Sequence, residues 1–155
     1  MSVSLQPMTP GELVAWLPGV MEDYVHQRVL AGEDEAAARA TAAAQTEELA
    51  PGGVAAEGQH FFWQRDGDAV VGALWLGRTL QRLTDSWYVY FVVVHDEFRG
   101  RGYGRAAMLA AEEWTKRQGA RYLGLNVFGH NHVARNLYEL LGYETMATQM
   151  RKELA

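Results

Sequence analysis

The N-terminal third of the chain has apolar positions that repeat with a helical period. These positions lie three or four residues apart and are Leu13, Trp16, Leu17, Val20 and Tyr24. Thr9 is placed to cap this helix, with Pro10 in its first turn and Glu12 completing a capping box. Pro18 lies inside the run and predicts a kink or a later start. The Ala-rich stretch from Asp34 to Leu49 predicts a second helix, a mobile cover with little apolar bulk to bury.

The pattern changes to that of β-strands in the middle of the chain. Residues 60–65 and 69–77 flank the short turn Asp66-Gly67-Asp68, which predicts a β-hairpin. The continuous aromatic and β-branched run Trp87–Val94 is typical of a central strand buried on both faces. Val3–Leu5 predicts a short first strand.

Helices and strands alternate in the C-terminal part. We predict a helix over Gly102–Gln118, a strand over Tyr122–Val127, a helix over Asn131–Leu141 and a closing strand over Tyr143–Met150. The order of elements is that of a layered α+β or α/β domain. Since no linker or repeat interrupts it, we expect a single domain over residues 1–155.

Composition narrows the class of protein. The chain has 155 residues, 48% apolar and 21% charged, as expected of one globular domain. Cysteine is absent, which excludes disulfide scaffolds, thiol nucleophiles and Cys-ligated metal sites, and suits a reducing cytoplasm. No apolar run approaches a membrane span, and the first nine residues lack the features of a signal peptide. We therefore expect a cytoplasmic protein that does not bind membranes.

Charge is unevenly distributed along the chain. The net charge is −5, and it is the sum of a negatively charged segment, residues 1–98, and a positively charged segment, residues 99–155. A uniformly basic nucleic-acid binder is therefore not expected. The two halves suit an anionic ligand on one side and a cationic one on the other, although an ordinary solvated surface explains the same charges.

The segment Arg99-Gly100-Arg101-Gly102-Tyr103-Gly104-Arg105 follows the predicted central strand and opens a helix. Its glycines let the main chain turn tightly and approach a ligand, and a helix N-terminus offers unpaired N–H groups to an anion. Three arginines add positive charge. The segment predicts a site for a phosphate-bearing ligand, and the alternative is a glycine-rich turn with solvated arginines. It is neither a dinucleotide fingerprint nor a P-loop.

A second motif runs from Asn131 to Tyr143. Asn131 stands where a helix N-cap belongs and Gly142 where a C-terminal glycine belongs, so both residues have a structural explanation. The histidines of the chain show no metal-ligand spacing, and we expect no metal site.

Together the two motifs resemble the Gcn5-related N-acetyltransferase (GNAT) superfamily. Arg99-x-x-Gly102-x-Gly104 is similar to the family's acetyl-CoA signature. Asn131-x-x-Ala134-x-x-Leu137-Tyr138-x-x-x-Gly142-Tyr143 is similar to its downstream segment, in which position 143 is Phe or Tyr. The resemblance covers about residues 87–150. It implies an α+β (α/β/α layered) fold, with a mixed, mostly antiparallel sheet, a splay between the central strands and helices on both faces.

The resemblance also implies roles for individual residues. Acetyl-CoA would lie in the splay and pair with the main chain of Val92 and Val94. Its pyrophosphate would sit on the loop Arg99–Gly104, which includes Gly100, Arg101, Gly102 and Tyr103, with Arg105 nearby. Tyr138 would protonate the leaving thiolate, and a phenol on a facing helix can do so. Asn131 would either bind the cofactor or only cap its helix.

The chain departs from its look-alikes at the general base. Some relatives have a glutamate where this chain has Tyr88, and others have one where it has Asn126. Deprotonation by ordered water, Tyr88 or Tyr90 is therefore expected. The resemblance implies acetyl transfer from acetyl-CoA to a primary amine, and we expect the transfer to be direct because a cysteinyl acetyl-enzyme is impossible without cysteine. The alternative is a non-catalytic acyl-CoA-binding regulator with the same fold.

The acceptor is less well defined by the sequence. Acidic residues of the N-terminal half favour a cationic small molecule or peptide amine, and these are Glu22, Asp23, Glu33, Asp34, Glu35 and Asp85. Look-alikes are commonly homodimers, but no residue pattern in this chain indicates one.

Overall fold

In a computed structural model, which describes residues 2–78 and 85–155, the chain forms a five-stranded sheet between two layers of helices. The strands lie in the order β1 (Ser4–Pro7), β2 (Gln59–Asp66), β3 (Ala69–Arg78), β4 (Ser86–Val94) and β5 (Tyr122–Leu125). The helices are α1 (Pro10–Leu30), α2 (Glu35–Leu49), α3 (Tyr103–Arg117) and α4 (His132–Leu140). Strands β1 to β4 pair antiparallel, whereas β4 and β5 pair parallel. The expected mixed, mostly antiparallel α+β fold is confirmed.

Helices α1 and α2 cover one face of the sheet, which we call the α1 face. Leu13 and Leu17 of α1 and Leu49 of α2 form a buried cluster with Phe61 and Trp75 of the sheet. Helix α2 also packs directly on α1, because alanines at its contact positions let the two backbones approach closely. The Ala-rich helix thus has a buried side despite its small side chains.

The predicted cap of α1 is present, but the expected later start of this helix is wrong. Thr9 Oγ1 accepts from the Glu12 N–H at 3.2 Å, and Glu12 Oε1 accepts from the Thr9 N–H at 2.9 Å. The helix runs continuously from Pro10 through Pro18 to Leu30. Pro18 removes only the hydrogen bond to the Val14 carbonyl, and Val14 lies on the exposed side of the helix, where water can replace that bond.

Helix α3 covers the opposite face, which we call the α3 face. Met108 and Ala111 of α3 are fully buried against Leu74, Leu76 and Val89. Both helical layers therefore pack on the β3–β4 centre of the sheet, and the predicted hairpin of β2 and β3 is confirmed.

The C-terminal segment differs from the sequence prediction. Residues 143–150 form no strand in this structure, and Met146 and Met150 are 90% and 86% exposed. The apolar residues there, Tyr143, Met146 and Met150, are three and four positions apart, which does not suit the alternation of a strand. The predicted closing strand is wrong. None of the helices in the described ranges has an apolar stretch long enough to cross a bilayer.

Candidate functional site

A β-bulge in β4 sets which side chains face each layer of helices. Phe91 pairs with Trp75 and Val89 pairs with Leu76, so Tyr90 is an extra residue without a partner position on β3. Val89 therefore contributes to the cluster on the α3 face, whereas Tyr90 and Phe91 both pack on the α1 face. The bulge presents two successive aromatic side chains to the α1 face.

Strands β4 and β5 separate immediately beyond this bulge. Their parallel ladder ends at the pair Val89 and Leu125, although β4 continues to Val94. The His95 N–H donates to the Val71 carbonyl on β3 at 2.8 Å. Because main-chain groups alternate sides along a strand, the N–H groups of Val92 and Val94 point towards β5. The two strands thus enclose a slot with main-chain donors and acceptors along its β4 wall.

The glycine-rich loop lies at the open end of this slot. Gly100 and Gly102 have φ angles of +75° and +86°, in the left-handed region that favours glycine. Helix α3 begins immediately afterwards and has no side-chain cap, whereas Thr9, Asp34 and Asn131 cap the other three described helices. The first-turn N–H groups of α3 therefore have no partner within the helix and are available to an anion.

Side chains of the loop have different roles from its main chain. Tyr103 is 8% exposed, and its hydroxyl donates to Asp66 Oδ2 at 2.5 Å, so its side chain is anchored to β2. Arg99 Nη2 lies 3.2 Å from Asp96 Oδ1, and its Nε donates to the Val94 carbonyl at 3.2 Å. The Arg101 guanidinium lies 5.9 Å from the ring centre of Phe98. Arg105 is exposed on the first turn of α3.

Gly104 has a packing role that the sequence did not indicate. Its φ is not positive, but a Cβ at this position would lie 3.3 Å from Leu137 Cδ2. The absence of a side chain therefore lets α4 pack closely over the first turn of α3. This contact brings the two sequence motifs together.

Tyr138 lies on the α3 face of the sheet, in the same cluster as residues of both strands that border the slot. Its ring packs against the cluster on the α3 face, as do Val92 and Leu125. Burial raises the pKa of the Tyr138 hydroxyl above its usual value. The phenol therefore stays protonated at neutral pH and has a proton that it could donate. Asn131 Oδ1 accepts from the Ala134 N–H at 3.3 Å, so the helix-capping role of Asn131 is present.

The tyrosines of β4 lie on the opposite face from Tyr138. The rings of Tyr88 and Tyr90 are 5.0 Å apart, and Tyr90 stacks on Trp75 at 5.1 Å. The Tyr90 hydroxyl donates to the Arg78 carbonyl at 3.1 Å. Burial raises the pKa of Tyr88 to about 12, with smaller contributions from Tyr90 and Tyr24. Tyr88 and Tyr138, the two predicted catalytic residues, are thus on opposite sides of the sheet.

One carboxylate that acts on Tyr90 is absent from the residues predicted from the sequence. Glu48 is exposed in the last turn of α2, where Leu49 packs in the same cluster as Trp75. Its negative charge raises the pKa of Tyr90, after the larger effect of burial. Because this electrostatic effect acts between α2 and β4, no local pattern in the sequence indicates it.

Most of the acidic residues considered for a cationic acceptor have local partners. The ion pairs are Arg39 with Glu22 (2.8 Å) and Glu35 (2.9 Å), and Arg28 with Glu33 (2.6 Å). Asp34 accepts from the Ala37 N–H at 3.1 Å as the cap of α2. Local arginines and a helix terminus therefore account for four of these carboxylates, which leaves less negative charge for an acceptor.

Comparison with known proteins agrees with this geometry. The sequence profile of the Acetyltransferase (GNAT) family matches residues 17–143. The uncharacterized N-acetyltransferase YdgE of Bacillus subtilis (strain 168) is 30% identical over 99% of both chains. The N-acetyltransferase YycN of the same organism is 28% identical over 99% of this chain and all of its own.

Solved structures show the same fold. The crystal structure of YycN superposes with a TM-score of 0.90 at 27% identity, covering 99% of each chain. The structure of AAC(6')-Iy in complex with a CoA-linked bisubstrate analogue has a TM-score of 0.61 at 15% identity, over 100% of this chain and 99% of its own. At that identity the likeness concerns the fold alone. The slot, the glycine loop and the family profile over residues 17–143 agree, and the chain belongs to the GNAT family of acetyltransferases.

Proposed function

We propose that this protein transfers an acetyl group from acetyl-CoA directly to a primary amine. The slot between β4 and β5 carries the proposal, because it opens onto the uncapped N-terminus of α3. An amide-containing pantetheine arm suits the main-chain groups of Val92 and Val94, and a pyrophosphate suits the first-turn N–H groups of α3. The exposed Arg105 adds positive charge at the same end.

Tyr138 would supply the proton that the leaving group needs. The amine nitrogen forms a bond to the acetyl carbon, the carbon–sulfur bond breaks, and the sulfur leaves as a thiolate that takes the phenol proton. Burial raises the pKa of Tyr138, which by itself makes it a weaker acid. The same desolvation disfavours the thiolate and raises the pKa of the thiol, so the transfer to sulfur stays feasible.

Tyr88 would not act as a phenolate base. Its pKa of about 12 keeps it neutral at physiological pH, although its oxygen can still accept a hydrogen bond from the amine or from water. Tyr90 is also unsuited, since its proton is donated to the Arg78 carbonyl. We infer that the amine loses its proton to water, with Tyr88 as a relay and with the Glu48 carboxylate, whose charge acts on Tyr90, favouring the cationic amine.

The acceptor would enter from the α1 face and be cationic. Tyr24, Tyr88 and Tyr90 supply aromatic rings there, and a ring face attracts an ammonium group within about 6 Å. Glu48 adds negative charge beside Tyr90. These groups support a protonated amine, such as a polyamine, an aminoglycoside or a peptide terminus, as the approaching substrate. The bisubstrate complex of AAC(6')-Iy shows one such small-molecule acceptor for that relative.

An acceptor screen tests the proposal. The purified protein is mixed with acetyl-CoA and a panel of cationic, neutral and anionic amines, and release of free thiol is followed. We expect thiol release with cationic amines and a fall in kcat of about a hundredfold or more in Tyr138→Phe, with little change in KM. CoA binding without turnover across the panel would instead support the regulator. Turnover with only neutral or anionic amines would refute the acceptor class.

A further inference from the structure

Helix α4 has an unusual position for an element that carries a proposed catalytic group. It has no buried residue, and Val133 and Leu140 are 84% and 87% exposed. A helix of nine residues is too short to be stable alone, so contacts with other elements must hold it. The contacts that fix α4 therefore also fix Tyr138.

The N-terminal end of α4 is tied to α1. His130 precedes the helix, and its Nε2 lies 2.7 Å from Gln27 Oε1 on α1. Its ring also stacks on Phe128 with 5.6 Å between ring centres. The contact between His130 and Gln27 joins α1, on the side proposed for the acceptor, to the segment that leads into α4.

The C-terminal end of α4 is tied to α3. The Tyr143 hydroxyl donates to Glu112 Oε1 at 3.0 Å, and the Tyr143 N–H donates to the Tyr138 carbonyl at 2.9 Å. The Tyr143 ring also meets the Tyr138 ring edge-on, with centres 5.9 Å apart. Burial and the Glu112 carboxylate raise the pKa of Tyr143, so its hydroxyl remains a donor at neutral pH. Glu112 thus holds the ring against which Tyr138 packs.

We propose that Tyr143 and Glu112 are positioning residues that hold the Tyr138 hydroxyl at the slot. This inference rests on the proposed function, since it assigns the pair to the step in which Tyr138 acts. The family segment that residues 131–143 resemble has Phe or Tyr at position 143. The hydroxyl of Tyr143 and its hydrogen bond to Glu112 are therefore not a general part of that segment. No described residue forms a hydrogen bond with the Tyr138 hydroxyl itself, so its place depends on the backbone of α4 and on the packing of its ring against Tyr143.

The test compares Tyr143→Phe, Glu112→Ala and Glu112→Gln with the control Tyr122→Phe. Tyr122 is 55% exposed on β5, so its variant removes a phenol hydroxyl away from α4. We expect Tyr143→Phe and Glu112→Ala to lower kcat by about ten- to a hundredfold, with the KM for acetyl-CoA within about twofold, because small displacements of a reacting group are costly. Glu112→Gln keeps an acceptor oxygen and should recover most of the rate.

A double variant separates positioning from a general loss of stability. In a Tyr138→Phe background, Tyr143→Phe should lower kcat no further, because both changes act on the same proton. An equal loss in both backgrounds, or a lower melting temperature with unchanged kcat, would overturn the inference. If Tyr138→Phe keeps full kcat, the acid role and the positioning role both fail, while acetyl transfer still stands.

A second measurement does not depend on turnover. Nuclear magnetic resonance relaxation reports the order of backbone amides, and rigid segments have order parameters near about 0.85. In Tyr143→Phe we expect lower values across α4 than in Tyr122→Phe. Order parameters of α4 that match those of Tyr122→Phe would contradict the proposal. This comparison remains possible even if the variant is too slow for a kinetic assay.

Discussion

Gly102 and Gly119 lie at the two ends of α3 and share one backbone conformation. Their φ angles are +86° and +84°, and a Cβ at Gly119 would meet no atom within 4 Å. Replacing either glycine with alanine places an L-residue in the left-handed region, which costs about 1–2 kcal/mol. For a chain of this length that corresponds to a fall in melting temperature of about 2–8 °C. The two variants should therefore lose similar stability.

Only Gly102→Ala should weaken cofactor binding. Gly102 orients the first turn of α3, whose free N–H groups would face the pyrophosphate. A hydrogen bond to a charged group contributes about 1.5–3 kcal/mol, so losing one should raise the Kd for CoA about ten- to a hundredfold. Gly119 lies at the far end of the helix and should leave the Kd unchanged.

Thermal unfolding and calorimetric titration with CoA measure the two effects separately, and neither requires a known acceptor. Gly119→Ala serves as the control for backbone strain. Equal melting temperatures with equal Kd values in the two variants would refute the assignment of the α3 N-terminus as the pyrophosphate site. A tenfold weaker binding in both would show that loss of stability alone reduces affinity.

Three further predictions concern stability and pH. The N-cap backbone N–H lowers the pKa of Glu12, so its stabilising effect is present above the unfolded value of about 4.3 and is lost as pH falls through the folded value. Thermal unfolding should show Glu12→Gln less stable than wild type near pH 7, and this difference should shrink towards pH 3. Because the pKa of Tyr88 is about 12, Tyr88→Phe should leave the shape of the pH profile of kcat/KM unchanged below about pH 10. The midpoint of the rise in kcat/KM with pH should then follow the pKa of the acceptor amine. Loss or displacement of that rise in Tyr88→Phe would show that Tyr88 is the base. A Cβ at Gly72 would overlap the Val93 carbonyl oxygen, so Gly72→Ala should cost about 1–3 kcal/mol of unfolding free energy, whereas Gly129→Ala, with no atom within 4 Å, should cost little.

Local sequence patterns indicated most of the fold and the backbone conformation of the glycine-rich loop. The positive φ angles of Gly100 and Gly102 follow from the conformational freedom of glycine, and the cap at Thr9 follows from its spacing to Glu12. These features depend on neighbours within a few residues. They are readable from the chain without knowledge of its tertiary structure.

Features that join distant elements could not be predicted in the same way. The bulge at Tyr90 cannot be recognised in the sequence, because the residues around it in β4 are all aromatic or aliphatic. No alternation of polar and apolar residues is present to reveal the extra residue. The contacts of Gly104 with Leu137 and of Glu112 with Tyr143 arise only when α4 packs on α3. The effect of Glu48 on Tyr90 likewise arises only when α2 packs over the sheet.

The divergence of β4 and β5 also bears on what can enter between them. Paired strands are about 4.8 Å apart, and a further chain fits between them only where they have separated to roughly twice that distance. Since β4 and β5 remain joined through Val89 and Leu125, the opening tapers towards that pair. We expect such an opening to exclude a peptide with side chains at its wide end and to admit a thin, unbranched amide chain. On this geometry the taper would select a guest by its thickness, and the same narrowing would hinder another protein from pairing with the strand edges.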